Sequence, residues 1–101
     1  MTVTSTALFR GTATTNTATT LYAVEAGKKA VVTNIAVTNT TANAGTFTIK
    51  LDGVAIASEA TIAANDTVVI DLKQVLDSTK VIAGGASATT INIHVSGVVI
   101  S

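Results

Sequence analysis

The imidazole, thiol and carboxylate groups able to do acid–base or metal chemistry are few in this chain and stand far apart. There is one histidine, His94, and six carboxylates, Glu25, Asp52, Glu59, Asp66, Asp71 and Asp77, with no cysteine. His94 lies in "INIHVS", where period-two alternation groups it with Asn92 and Ser96 and sets it against Ile91, Ile93 and Val95. That pattern describes an exposed strand residue rather than a base or a ligand. A Ser-His-Asp set could be drawn by chance from so many Ser, Thr and Asp residues, yet no strained G-x-S-x-G elbow frames any serine. We assign no catalytic residue and read the chain as a non-enzyme.

The carboxylates are isolated. Asp52 precedes Gly53 in a turn, Asp66 follows Asn65, and no metal-loop spacing connects any of them. Asp66, Asp71 or Asp77 with backbone carbonyls would be the raw material for calcium in a sandwich loop, but the expectation is no metal and no cofactor. Gly84-Gly85 in "IAGGAS" lacks the following helix N-terminus that a phosphate cradle needs, so it reads as a flexible turn. Sugar-binding modules usually present a platform of Trp or Tyr, and here there is one tyrosine, Tyr22, and no tryptophan.

Charge excludes further classes. Six basic and six acidic residues cancel, and Arg10, Lys28, Lys29, Lys50, Lys73 and Lys80 are scattered, so the basic footprint of a nucleic-acid binder is missing. Phe9, Tyr22 and Phe47 are too few to stack single-stranded bases. Every apolar run is interrupted by Thr, Asn, Asp or Lys before it could span a bilayer, so no membrane partner is expected. The first twenty residues show no basic start followed by an apolar core, which gives an expectation of synthesis in the cytoplasm. Without cysteine the fold does not depend on an oxidising compartment.

The elements that must position these residues are strands. A chain of 101 residues is one domain's length. For its 10.1 kDa, surface scaling gives roughly 5,300 Å² exposed when folded, with roughly 64% of the unfolded surface buried. Hydrophobic residues make up 48% and charged residues only 12%, and twenty threonines, β-branched like valine but hydroxylated, take the place of surface charge. Residues 1–20 are Thr-rich and weakly patterned, anchored by Val3, Leu8 and Phe9, and read as an edge strand with a loop or as an arm reaching a neighbour; residues 21–101 read as the sandwich domain.

Within that domain "TLYAV" is a strand, "EAGK" a turn and "KAVVTNIAVTNT" a longer strand whose inward face should carry Val31, Ile35 and Val37. "NTTANAG" is a loop, and in "TFTIKL" Phe47, Ile49 and Leu51 alternate with Thr46, Thr48 and Lys50. Asp52-Gly53, between "TFTIKL" and "VAIAS", marks a hairpin, because a type I′ turn needs positive φ at both central residues. "AAND" turns into "TVVIDL", where Val68, Ile70 and Leu72 alternate with Val69 and Asp71. "KQVLDSTK" reads as a helical turn or a wide loop, and "TTINIHVSGVVI" as a last strand with a bulge at Gly97. Seven to nine short strands without a helix predict an all-β fold: a single antiparallel β-sandwich of immunoglobulin-like or jelly-roll type. There is no proline to blunt a sheet edge and little charge, so we expect a homo-oligomer or a larger assembly.

The segments "YAVEAGKKAVVTNIAVTNTT", "FTIKLDGVAIA", "IAANDTVVIDLKQVLDSTKVIAG" and "INIHVSGVVI" together resemble small virion structural proteins of tailed bacteriophages. The resemblance spans residues 21–100 and rests on Tyr22, Val24, Gly27, Lys28, Asn39, Asp52, Gly53, Asn65, Asp66, Leu72, Val75, Leu76, Gly97 and Ile100. These are turn and core positions, and the resemblance supplies no site. Such proteins often carry proline before the glycine of the first turn, where this chain has Ala26. The resemblance implies a β-sandwich located in a virion after synthesis in the bacterial host: a capsid decoration protein, or a head-tail or tail component, with the major capsid protein or other phage structural proteins as partners. A carbohydrate-binding or host-surface-binding module is the alternative.

Overall fold

The hairpin at Asp52-Gly53 shows how local chemistry starts this fold. Both residues adopt positive φ, 54° and 76°, and Leu51 pairs with Val54 across them. The computed structural model describes residues 2–101 and contains eight antiparallel strands and no helix. They are β1 (Val3–Thr12), β2 (Thr20–Ala23), β3 (Lys29–Asn39), β4 (Gly45–Leu51), β5 (Val54–Ile62), β6 (Thr67–Leu76), β7 (Val81–Ala86) and β8 (Ile91–Ile100).

Pairing is nested: β4 with β5, β3 with β6, β2 with β7 and β1 with β8. A hairpin centred on Asp52-Gly53 and rolled up has this connectivity. Its two sheets, β1-β8-β3-β6 and β2-β7-β4-β5, have the strand order of an eight-stranded jelly roll rather than of an immunoglobulin sandwich. Between the sheets lie Ile35, Val37, Ile93 and Val95 from the first and Phe47, Ile49, Ile62 and Ile82 from the second, all buried. The exposed area is 5248 Å² and the molecule measures 45 × 21 × 18 Å, long in one direction.

The alternation expected in β4 holds, with Phe47, Ile49 and Leu51 inward; in β8 Ile91, Ile93 and Val95 are buried; and in β6 Val68, Ile70 and Leu72 are half-buried while Val69 and Asp71 are exposed. Elsewhere the structure corrects the sequence. In β3 the inward residues are Ala30, Val32, Ile35 and Val37, and Val31 faces out. The cause is a register shift between Val32 and Asn34, where the extra residue Thr33 inverts everything before it. Lys73–Leu76 continue β6 as strand, so only Asp77–Lys80 form the turn. Gly97 carries no bulge. β8 runs regularly, and it is its neighbours that shift at this level, β1 around Leu8 and β3 around Thr33. Gly97 is needed for another reason: a Cβ there would collide with the Val31 carbonyl.

Gly84 and Gly85 are likewise not a flexible turn but the buried middle of β7. A Cβ at Gly84 would stand 2.5 Å from the Thr48 carbonyl oxygen, and one at Gly85 2.5 Å from that of Asn16. Val3–Thr12 form β1 at the edge of the first sheet, a strand that pairs along its length with β8 and buries Leu8 in the common core. The Thr-rich loop after it is tied to β7, since Thr14 and Thr19 accept the amides of Ala86 and Gly84, both at 2.9 Å. Asn16 closes an Asx turn beneath, its Oδ1 accepting the Ala18 amide at 2.9 Å.

Candidate functional site

The strands keep His94 and the carboxylates Asp66, Asp71 and Asp77 apart from one another. His94 is exposed on the outer face of β8, and its cross-strand neighbours are Arg10 on β1 and Ala36 on β3, neither of which can accept a proton from it or orient it. The three carboxylates considered for calcium are strung along β6. Asp66 precedes it, Asp71 is mid-strand and Asp77 follows it, so the outer two are separated by roughly 35 Å of extended chain. Each has a different local role. Asp66 Oδ1 accepts the Thr67 amide at 2.9 Å, Asp71 Oδ1 accepts Asn34 Nδ2 at 3.0 Å, and Asp77 pairs with Lys29 at 3.6 Å. Among the described residues no three His, Asp or Glu side chains are grouped to hold a metal.

The ion pairs all fall at one end of the sandwich. That pole carries the chain termini and the turns 24–28, 52–53 and 77–80, with Lys28–Glu25 at 3.2 Å, Lys29–Asp77 at 3.6 Å and Lys80–Asp52 at 3.8 Å. A hollow of about 250 Å³ opens beside it, lined by Thr4, Thr6, Tyr22, Glu25, Lys28, Val99 and Ser101.

The opposite pole gathers the loops 13–19, 40–44, 63–66 and 87–90, which carry hydroxyls and amides and one charge, Asp66. Its centre is Asn39, 1% exposed. Asn39 Nδ2 donates to the carbonyls of Asn43 at 2.7 Å and Ala63 at 3.3 Å, and its Oδ1 accepts the Thr41 amide at 3.1 Å and the Thr41 hydroxyl at 2.9 Å. The backbone joins in, with Asn39 N donating to Asp66 O and Asn65 N to Thr41 O, both at 2.9 Å. One buried amide therefore fixes two loops, and its hydrogen-bonding capacity is used up in doing so. The sequence marks Asn39 only as a turn former.

A second feature had no signal in the sequence. Glu59 takes φ 47° in β5, where the register against β4 shifts, and its amide donates to Thr48 Oγ1 at 3.1 Å. A left-handed glutamate is strained, and the bulge places it over a hydroxyl-lined hollow with Thr15, Thr17, Thr46 and Ser87. The hollow offers hydroxyls and one carboxylate as hydrogen-bonding groups.

What remains is surface. On the outer face of the first sheet, cross-strand rows run Ala7–Ser96–Asn34–Asp71 and Thr12–Asn92–Thr38–Thr67, with Thr38 and Thr67 hydroxyls 3.0 Å apart. An apolar row, Val98–Val31–Val75, lies nearer the charged pole. Val54 and Ile56 on β5 and Val69 and Val75 on β6 stand exposed on the two strands that end the sheets on one side of the sandwich. No helix among the described residues is long and apolar enough to cross a membrane. A scan of protein-family models finds no match to the chain, and no curated protein matches it.

Proposed function

We propose that this chain is a non-enzymatic structural protein of a bacteriophage virion, a capsid decoration protein or a part of the head-tail connection or tail, acting through protein–protein contacts. The observation that carries the reading is the surface: valine, threonine and asparagine cover a jelly roll whose few charges are paired or scattered, and apolar side chains stand out on its open edges. Jelly rolls recur in viral capsid proteins, which supports the reading by analogy of fold. A surface of this kind binds by shape and strand edges, in a symmetric assembly that covers them.

Quantitative mass spectrometry of phage particles purified from the source tests it, counting this chain against the major capsid protein. Hundreds of copies per particle is the result expected of a decoration protein, and a few to a few dozen that of a neck or tail part. Absence from the particle overturns the proposal. The rival reading, a carbohydrate-binding or host-surface-binding module, draws on the hollow beside Tyr22 with its threonine hydroxyls and the Glu25–Lys28 pair. Jelly rolls also serve as lectins. A glycan array without hits sets that reading aside.

A further inference from the structure

Four strands end the two sheets, and three are poor templates for further pairing. β2 has four residues, β1 is broken by the shift around Leu8, and β5 shifts twice against β4 and contains the left-handed Glu59. β6 differs. It extends over ten residues, none with positive φ, and keeps its in-and-out alternation although its register against β3 slips between Asp71 and Gln74. Its far edge has no strand beside it.

The outward row of β6 reads Val69, Asp71, Lys73, Val75. Val69 is 57% and Val75 62% exposed, high values for large apolar side chains. Asp71 and Lys73 take part in no ion pair among the described residues. Reversed, the row is unchanged except that its two charges trade places. An antiparallel copy centred on Leu72 therefore sets Val69 against Val75 and Asp71 against Lys73, on both sides of the centre. A twofold interface requires this kind of self-complementary patch.

We propose that β6 is a self-pairing edge: two copies of the chain join antiparallel through it, about a twofold axis at Leu72, merging two four-stranded sheets into one. Directly opposed residues of an antiparallel pair have Cβ atoms about 5 Å apart, within ion-pair reach for Asp71 and the partner's Lys73. The half-buried Val68, Ile70 and Leu72 carry the core across the junction. The hollow lined by Thr33, Asp71, Leu72 and Lys73 opens between β3 and β6 at the level of that axis. The dimer stands independently of any place in a virion.

Analytical ultracentrifugation of the full chain, from low to high micromolar, tests the pairing. The unaltered chain dimerises. Asp71→Lys and Lys73→Asp each put like charges opposite one another twice, and each weakens the dimer about tenfold or more; together they exchange the charges and restore the affinity to within roughly threefold. Recovery in the double variant cannot come from misfolding, since it carries both changes. Val54→Thr with Ile56→Thr on β5 leaves the affinity unaltered. A chain monomeric throughout, single variants that pair like the parent, a double variant as weak as the singles, or loss of the dimer on altering β5 would each overturn the assignment.

Discussion

The two poles of the sandwich are held by different physics. At the pole of the termini, three lysine–carboxylate pairs bridge the turns, but every side chain in them is 38–72% exposed. Water solvates such charges nearly as well apart as together, so each pair contributes on the order of 0–1 kcal/mol. The turns there are set by backbone, through Gly27 at φ 81° and Asp52-Gly53. At the other pole almost no charge is present, and one buried amide, Asn39, satisfies groups from two loops. Removing it takes the partner from the part-buried carbonyls of Asn43 and Ala63 and from the Thr41 amide, and each group left unsatisfied costs up to about 1–3 kcal/mol. The pole that looks the more strongly bonded is the one whose bonds matter less.

Breaking the network should therefore give the largest effect. Asn39→Leu is expected to lower stability by about 3 kcal/mol or more in urea unfolding, because leucine can meet none of its partners. A loss under about 1 kcal/mol would mean that the loops hold without Asn39. At the same pole, Gly85→Ala pushes a methyl into the carbonyls of Asn16 and Thr14, with an expected loss of about 2 kcal/mol. It should also speed hydrogen exchange at the amides of Gly84 and Ala86, which the displaced loop no longer covers.

The charged pole should respond to backbone before charge. Gly53→Ala meets no neighbour within 4 Å, so its expected cost of about 1 kcal/mol measures only the positive φ. Lys80→Gln, which removes an ion pair and leaves the turn, should change stability by less than about 0.5 kcal/mol. About 1 M sodium chloride, which screens exposed charges beyond roughly 3 Å, should abolish even that difference between Lys80→Gln and the parent. If Lys80→Gln costs more than Gly53→Ala, the ranking of the two contributions is reversed.

Much of the fold was legible because its signals are local. The Asp52-Gly53 turn, the alternation of Phe47, Ile49 and Leu51 and the pattern of Ile91, Ile93 and Val95 depend on neighbours in the chain and survive into the structure. The misreadings have one cause. From the sequence Gly84, Gly85 and Gly97 read as breaks because glycine frees the backbone, yet in the fold glycine admits a second backbone from a distant segment. The period-two pattern places Val31 inward because it cannot register an extra residue at Thr33, which only the pairing with β8 defines. Glu59 is a further case, since its positive φ answers a shift against β4 and leaves no trace in its residue type.

By itself the sequence determined that this chain is an all-β sandwich, because residue type, alternation and turn chemistry act over a few residues. Tertiary structure decided the rest: the nested pairing of a jelly roll, the burial of Asn39 between two loops, and the place of β6 at a sheet edge. The symmetric row Val69, Asp71, Lys73, Val75 is written in the sequence, but in a central strand its backbone would be used up by neighbours. Only an edge leaves those groups open to a second chain.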